Sequence, residues 1–124
     1  MADLLSQREL PVGFAYPSTF LRVVELGLVN LEPWWIFDGA VLRDRLHGLK
    51  ERYPDRALIP FARRDDNDDV ACWDRKPPRV VVIHDFASPG YESRGDFVDF
   101  NAWFRRAVED FLDFGQPLAD MSST

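Results

Sequence analysis

The stretch Leu58-Ile-Pro-Phe-Ala-Arg-Arg-Asp65-Asp-Asn-Asp-Asp69-Val-Ala-Cys-Trp-Asp74 places an aspartate-rich knot between two short apolar runs. The runs, 57–62 and 70–74, are too short for helices and carry the Ile, Phe, Val and Trp that suit extended backbone. Asn67 and its aspartate neighbours supply turn chemistry, so the pattern predicts a β-hairpin with its turn at 65–69. A calcium loop of the EF-hand type needs Gly at its sixth position and Glu at its twelfth. Counted from Asp65 those positions hold Val70 and Lys76, and the pattern fails at both.

Working outward, residues 79–86 (RVVVIHDF) form a β-branched run of strand length, and 32–38 (EPWWIFD) a second, shorter one. Strand alternation predicts one of Trp34 and Trp35 inward and the other outward. Helical spacing marks three other segments. In 16–27, Phe20, Val23, Val24 and Leu28 recur at threes and fours, Pro17 suits a first turn and Gly27 a stop. In 39–54, Leu42, Leu46 and Leu49 line one face while Arg43, Asp44, Lys50 and Glu51 face water, Asp38 is placed as N-cap, and Pro54 ends the run. In 98–113, Phe100, Trp103, Phe104, Ala107, Val108, Phe111 and Leu112 make a wide stripe, with Asp99 as cap. Residues 2–9 are expected to open the chain as a short helix, 87–95 to form a loop, and 117–124 a frayed tail. Helices at both ends with strands between predict one α+β domain over 1–124, with a largely antiparallel sheet flanked by helices.

The 124 residues carry a net charge of −6, 46% hydrophobic residues, ten Phe and four Trp. Core material is ample for one domain. Phosphate backbones demand a basic footprint, so nucleic acid is not the expected partner; something basic is. One cysteine allows no internal disulfide, no segment has the length of a membrane span, and the N-terminus lacks a signal-peptide core. The expected compartment is the cytoplasm.

Chemistry-bearing residues are few. Cys72, His84 and Asp85 are the types of a thiol–imidazole–carboxylate arrangement, but their flanks match no cysteine-hydrolase signature. A lone Cys in an apolar strand, alternating with Val70 and Asp74, is expected in the core. His47 and His84 with Cys72 lack the paired spacing of structural zinc. No glycine-rich phosphate loop follows any predicted strand. The reading assigns no catalytic residue, cofactor or metal.

The order of elements resembles the SUKH superfamily, which includes fungal Smi/Knr-type regulators of cell-wall synthesis and many small bacterial proteins. The segment at 14–27 resembles the family's early helix, retaining Gly27 of its usual ending. The central stretch resembles its hairpin at Pro60, Phe61, Ala62, Trp73 and Asp74, with Asn67, Asp68 and Asp69 replacing the usual turn glycines. Residues 79–86 resemble the following strand, and the segment with Phe100 and Trp103 the closing helix. The likeness covers about residues 11–114. It implies no shared catalytic residues. It implies instead a binding protein, either an immunity protein that blocks a polymorphic toxin, such as a nuclease or deaminase, or an intracellular regulatory or scaffold domain. For a basic toxin cleft, Asp65, Asp66, Asp68, Asp69, Glu92, Asp96 and Asp99 are the candidate contact residues.

Overall fold

The computed structural model describes residues 2–75 and 77–114. The chain forms α1 (Ser18–Glu25), β1 (Asn30–Leu31), β2 (Trp34–Ile36), α2 (Gly39–Arg52), β3 (Leu58–Arg64), β4 (Asp69–Arg75), β5 (Pro78–His84), β6 (Ser93–Phe97) and α3 (Phe100–Asp113). The six strands make one antiparallel sheet whose spatial order is the chain order. It is an α+β domain with the sheet flanked by helices, as the alternation and the helical stripes require.

The hairpin at the centre is β3–β4, in the register Leu58 to Asp74, Ile59 to Trp73 and Pro60 to Cys72. A bulge between Pro60 and Ala62 shifts that register, and β2 pairs only with Ala62–Arg64. Pro60 therefore sits at an irregularity beyond the end of β2, where its missing N–H breaks no regular ladder.

Rings fill the face covered by α1 and α3. Phe61 lies 4.4 Å from Trp73 and 4.8 Å from Trp103 between centroids, and Phe20 lies 5.4 Å from Phe100. All five are buried. Each buried aromatic of this size contributes roughly 1.5–3 kcal/mol by leaving water, and edge-on contacts add to it. Val70, Cys72, Val81 and Ile83 alternate with these residues, also buried, and point to the other face. There α2 packs beside β3 and reaches past the end of β5.

Helix α1 ends as its Gly27 predicts. The Leu28 N–H donates to the Val23 carbonyl and the Gly27 N–H to Val24, with Gly27 at φ +76°. This is the paired closure that a left-handed residue permits. Leu28, expected on the helical face, lies beyond that end and is exposed. Asp99 caps α3, its carboxylate accepting from the Ala102 N–H at 2.9 Å. Asp38 precedes α2 without a side-chain cap bond, and the Gly39 N–H donates to the Asp3 carbonyl. Trp34 is buried and Trp35 half-buried, the expected alternation.

Three expectations are corrected. Residues 2–9 do not form a helix; Ser6 and Glu9 close one turn by exchanging bonds, while Asp3 and Leu4 lie along α2. Arg43, expected to face water, holds that segment through Asp3, the Leu4 carbonyl and Glu9. The stretch 87–95 is not all loop: β6 begins at Ser93 and pairs with β5. The tail at 117–124 lies outside the described residues.

Candidate partner-binding surface

The β3–β4 turn and the loop from β5 to β6 lie at the same end of the sheet, joined where the Asp85 N–H donates to the Asp68 carbonyl at 3.0 Å. Within the turn, the Asn67 side-chain oxygen accepts from the Asp69 N–H at 2.7 Å, which fixes the tight reversal. The carboxylates are held rather than loose. Asp65 pairs with Arg63 at 2.8 Å and accepts from the Trp35 indole N–H. Asp66 takes two parallel bonds from Arg64, each 2.8 Å, and this guanidinium keeps its carboxyl below the usual range. Asp69 accepts from His84 at 3.0 Å, with Arg94 at 4.0 Å. The Asp68 side chain, exposed, has no ion partner among the described residues.

Arginines and buried carboxylates pair in two groups, one behind the turn around Asp85 and one that reaches towards the far end of β4 at Asp74. Asp85, its side chain fully buried, is gripped by Arg52 through two 2.7 Å bonds and by Arg45 at 3.2 Å. Asp74 and Glu92, also buried, share Arg56, at 3.3 and 2.8 Å. A buried charge persists only when paired in this way.

The group around Asp85 positions an aromatic side chain outside. Phe86 follows Asp85 at φ +70°, a backbone region that bulky side chains rarely adopt, and is 62% exposed. Its N–H donates to the Asp85 carboxylate at 2.8 Å. The Arg52 guanidinium lies over its ring at 4.2 Å from the centroid, and Arg45 at 5.9 Å. Tyr53 anchors the same loop from below by donating its hydroxyl to the Ala87 carbonyl at 2.7 Å. Further along the loop, Tyr91 is 80% exposed. The result is an acidic turn beside two outward aromatics on a rigid base, a mixture suited to gripping a protein surface.

The candidate aspartates do not form one patch. Asp65, Asp66, Asp68 and Asp69 share the turn. Glu92 is 6% exposed and spent on Arg56 and the Gly90 N–H, so it offers nothing to a partner. Asp96 lies on β6 with Arg79 at 3.0 Å, and Asp99 is the α3 cap. Phe86 and Tyr91 were not among the candidates. Phe86, expected at the end of a strand over 79–86, lies past β5, which stops at His84; the signal for Tyr91 was an aromatic in a Pro- and Gly-containing loop, where no core face requires it.

Cys72 and His84 are not brought together. Cys72 opposes Val81 and His84 opposes Asp69, three register positions away and on the other face. The Cys72 thiol is fully buried, which pushes its pKa well above the ordinary value. Asp85 does not orient His84; it holds the two arginines. His47 stands exposed on α2 with Glu51 at 2.8 Å. Among the described residues no cluster of three or more His, Cys, Asp or Glu is placed to hold a metal, and no helix is long and apolar enough to cross a membrane. No family model matches the chain, nor does any curated protein or solved structure.

Proposed function

We propose that the chain is a non-enzymatic binding protein, an immunity protein of the SUKH kind that occludes a basic toxin domain such as a nuclease or deaminase. Its contact surface is the sheet end that carries Asp66, Asp68, Phe86 and Tyr91. The carrying observation is Phe86, an exposed ring in a left-handed conformation, clamped by arginines that a buried aspartate immobilises. Strain of this sort, about 1–3 kcal/mol, survives where the surroundings over-determine it, and it clusters at functional positions. The resemblance in the chain's order of elements and the net charge of −6 support the same reading. Opposite potentials speed encounter with a basic cleft, and a fixed aromatic supplies a central anchor.

The test is co-expression with basic toxin domains encoded in adjacent reading frames. Protection of the cells by the native chain and its loss in Phe86→Ser, with the variant still folded by circular dichroism, is the expected result. Capture of only a housekeeping protein, with no toxin neutralised, would transfer the chain to the regulatory reading.

A further inference from the structure

Where the opening segment crosses α2 and the start of β3, a cavity of about 440 Å³ lies between them. Leu5 and Leu10 line it from the segment, Leu46 and Leu49 from α2, and Leu58 and Ile59 from β3. These side chains offer no hydrogen bond, so the space selects for apolar surface, and it has the size of small-molecule sites. Val12, 95% exposed, carries the apolar lining out to the surface. Polar anchors hold the segment in place. Arg43 pairs with Asp3 and Glu9, the Tyr16 hydroxyl accepts from the Leu5 N–H at 3.1 Å, and Arg75 donates to the Val12 carbonyl at 2.8 Å. Walls free to relax close in on a gap. This wall is fixed by ion pairs and backbone bonds, which preserve the space.

Charge in the lining is uneven. Glu9, Lys50 and Arg56 contribute to it. Glu9 accepts two bonds from Arg43, at 2.6 and 2.9 Å, and Arg56 is divided between Glu92 and Asp74. Lys50, exposed, has no ion partner among the described residues. Its neighbour Glu51 is taken by His47 at 2.8 Å. Leu46, Leu49 and Lys50 stand at helical spacings of three and four, so one face of α2 presents two apolar side chains and then the ammonium. Arg43 and Lys50 are seven positions apart on that helix, about 10 Å along its axis, so the Glu9 carboxylate is bound well away from Lys50. The cavity thus joins an apolar interior to one unmatched cation at its edge.

We propose that this cavity binds a medium-chain carboxylic acid, its alkyl chain lying against Leu5, Leu10, Leu46 and Leu49 and its carboxylate meeting the Lys50 ammonium. The cavity lies at the start of β3 and the acidic turn at the other end of that strand. The site is therefore separate from the turn and does not depend on the toxin-binding reading.

Nuclear magnetic resonance of protein carrying ¹³C-labelled leucine methyls tests this, because Leu5, Leu10, Leu46 and Leu49 line the cavity while Leu21, Leu26 and Leu28 do not. The probes are octanoate, hexanoate and octan-1-ol. Octanoate should move the lining methyls saturably, with half-saturation below about 1 mM, and leave the others still. Hexanoate, shorter by two methylenes, should bind about tenfold more weakly. Lys50→Met replaces an exposed side chain and should leave the spectrum that of a folded protein. It should weaken octanoate about threefold and leave octan-1-ol unchanged. No saturable movement up to about 10 mM octanoate, equal movement of lining and outer methyls, or octanoate binding untouched by Lys50→Met overturns the assignment.

Discussion

Arg52 and Asp85 meet through two parallel hydrogen bonds of 2.7 Å, 33 residues apart in sequence, with the carboxylate fully buried and the guanidinium only partly so. That asymmetry decides what each residue is worth. Asp85→Ala strands Arg45 and Arg52 beside an emptied buried site, and removing one member of a buried pair costs about 3–5 kcal/mol. Arg52→Ala leaves Arg45 on the carboxylate and should cost less, about 1–2 kcal/mol. Urea denaturation of the two variants checks the order.

The two helix caps give a sharper contrast. Asp99 accepts a bond from Ala102, whereas Asp38 makes no side-chain cap bond. Asp99→Ala should lower stability by about 1 kcal/mol, and Asp38→Ala by no more than a few tenths. Thermal melts of both variants under one condition are sufficient.

Acid should act through three carboxylates, one of them Asp66 under its Arg64 guanidinium. The Arg43 side chain and the Ser6 backbone hold Glu9 at about 2, below its ordinary 4.5. Burial pushes Glu92 upward, but bonds from Arg56 and from backbone N–H groups outweigh it, and its net displacement is also downward. A carboxyl lowered on folding stabilises the protein above its unfolded pKa, and that stability is lost as pH falls through the folded value. Stability should therefore decline below about pH 4.5 and keep falling towards pH 2. Glu9→Gln should flatten that decline, as measured by urea midpoints across the range.

Phe86 separates folding from binding. Glycine tolerates φ +70°, so Phe86→Gly relieves backbone strain while losing the ring's contacts with Arg52 and Arg45. These effects oppose one another, and stability should change by less than about 1 kcal/mol. Affinity for the partner, by contrast, should fall at least about 30-fold, the loss typical of a central anchor. Calorimetry of the isolated chain and of the complex reads the two quantities independently.

The helices and β3–β5 were legible because their periodicity is written by burial. Phe100, Trp103 and Ala107 are buried at helical spacing, and the apolar runs of β3, β4 and β5 are buried on both faces. Strand β6 was not legible: Ser-Arg-Gly-Asp-Phe has one apolar residue, and its extension is imposed by hydrogen bonds to β5. The opening segment misled because Leu4, Leu5 and Leu10 mimic a helical stripe. Its backbone is instead committed to Gly39, Arg43 and the Tyr16 hydroxyl, partners no local pattern announces. The arginine pairings were hidden for the same reason. Glu92 read as a surface acid, and nothing local to Asp74 or Asp85 announces the Arg56 and Arg52 that fold over them, the three pairings spanning 18 to 36 positions.

Because spatial and chain order coincide from β1 to β6, every ladder joins segments that are neighbours along the polypeptide. Closing the short loops between β1 and β2 and along β3 to β6 costs little entropy, so those strands can zip hairpin by hairpin, while β2 meets β3 only across α2. The long closure is α3 returning to β2, where the Trp34 indole donates to Asp110 across 76 residues. Folding speed should consequently respond to changes at the Asn67 reversal, while changes at Asp110 should speed the escape from the native state.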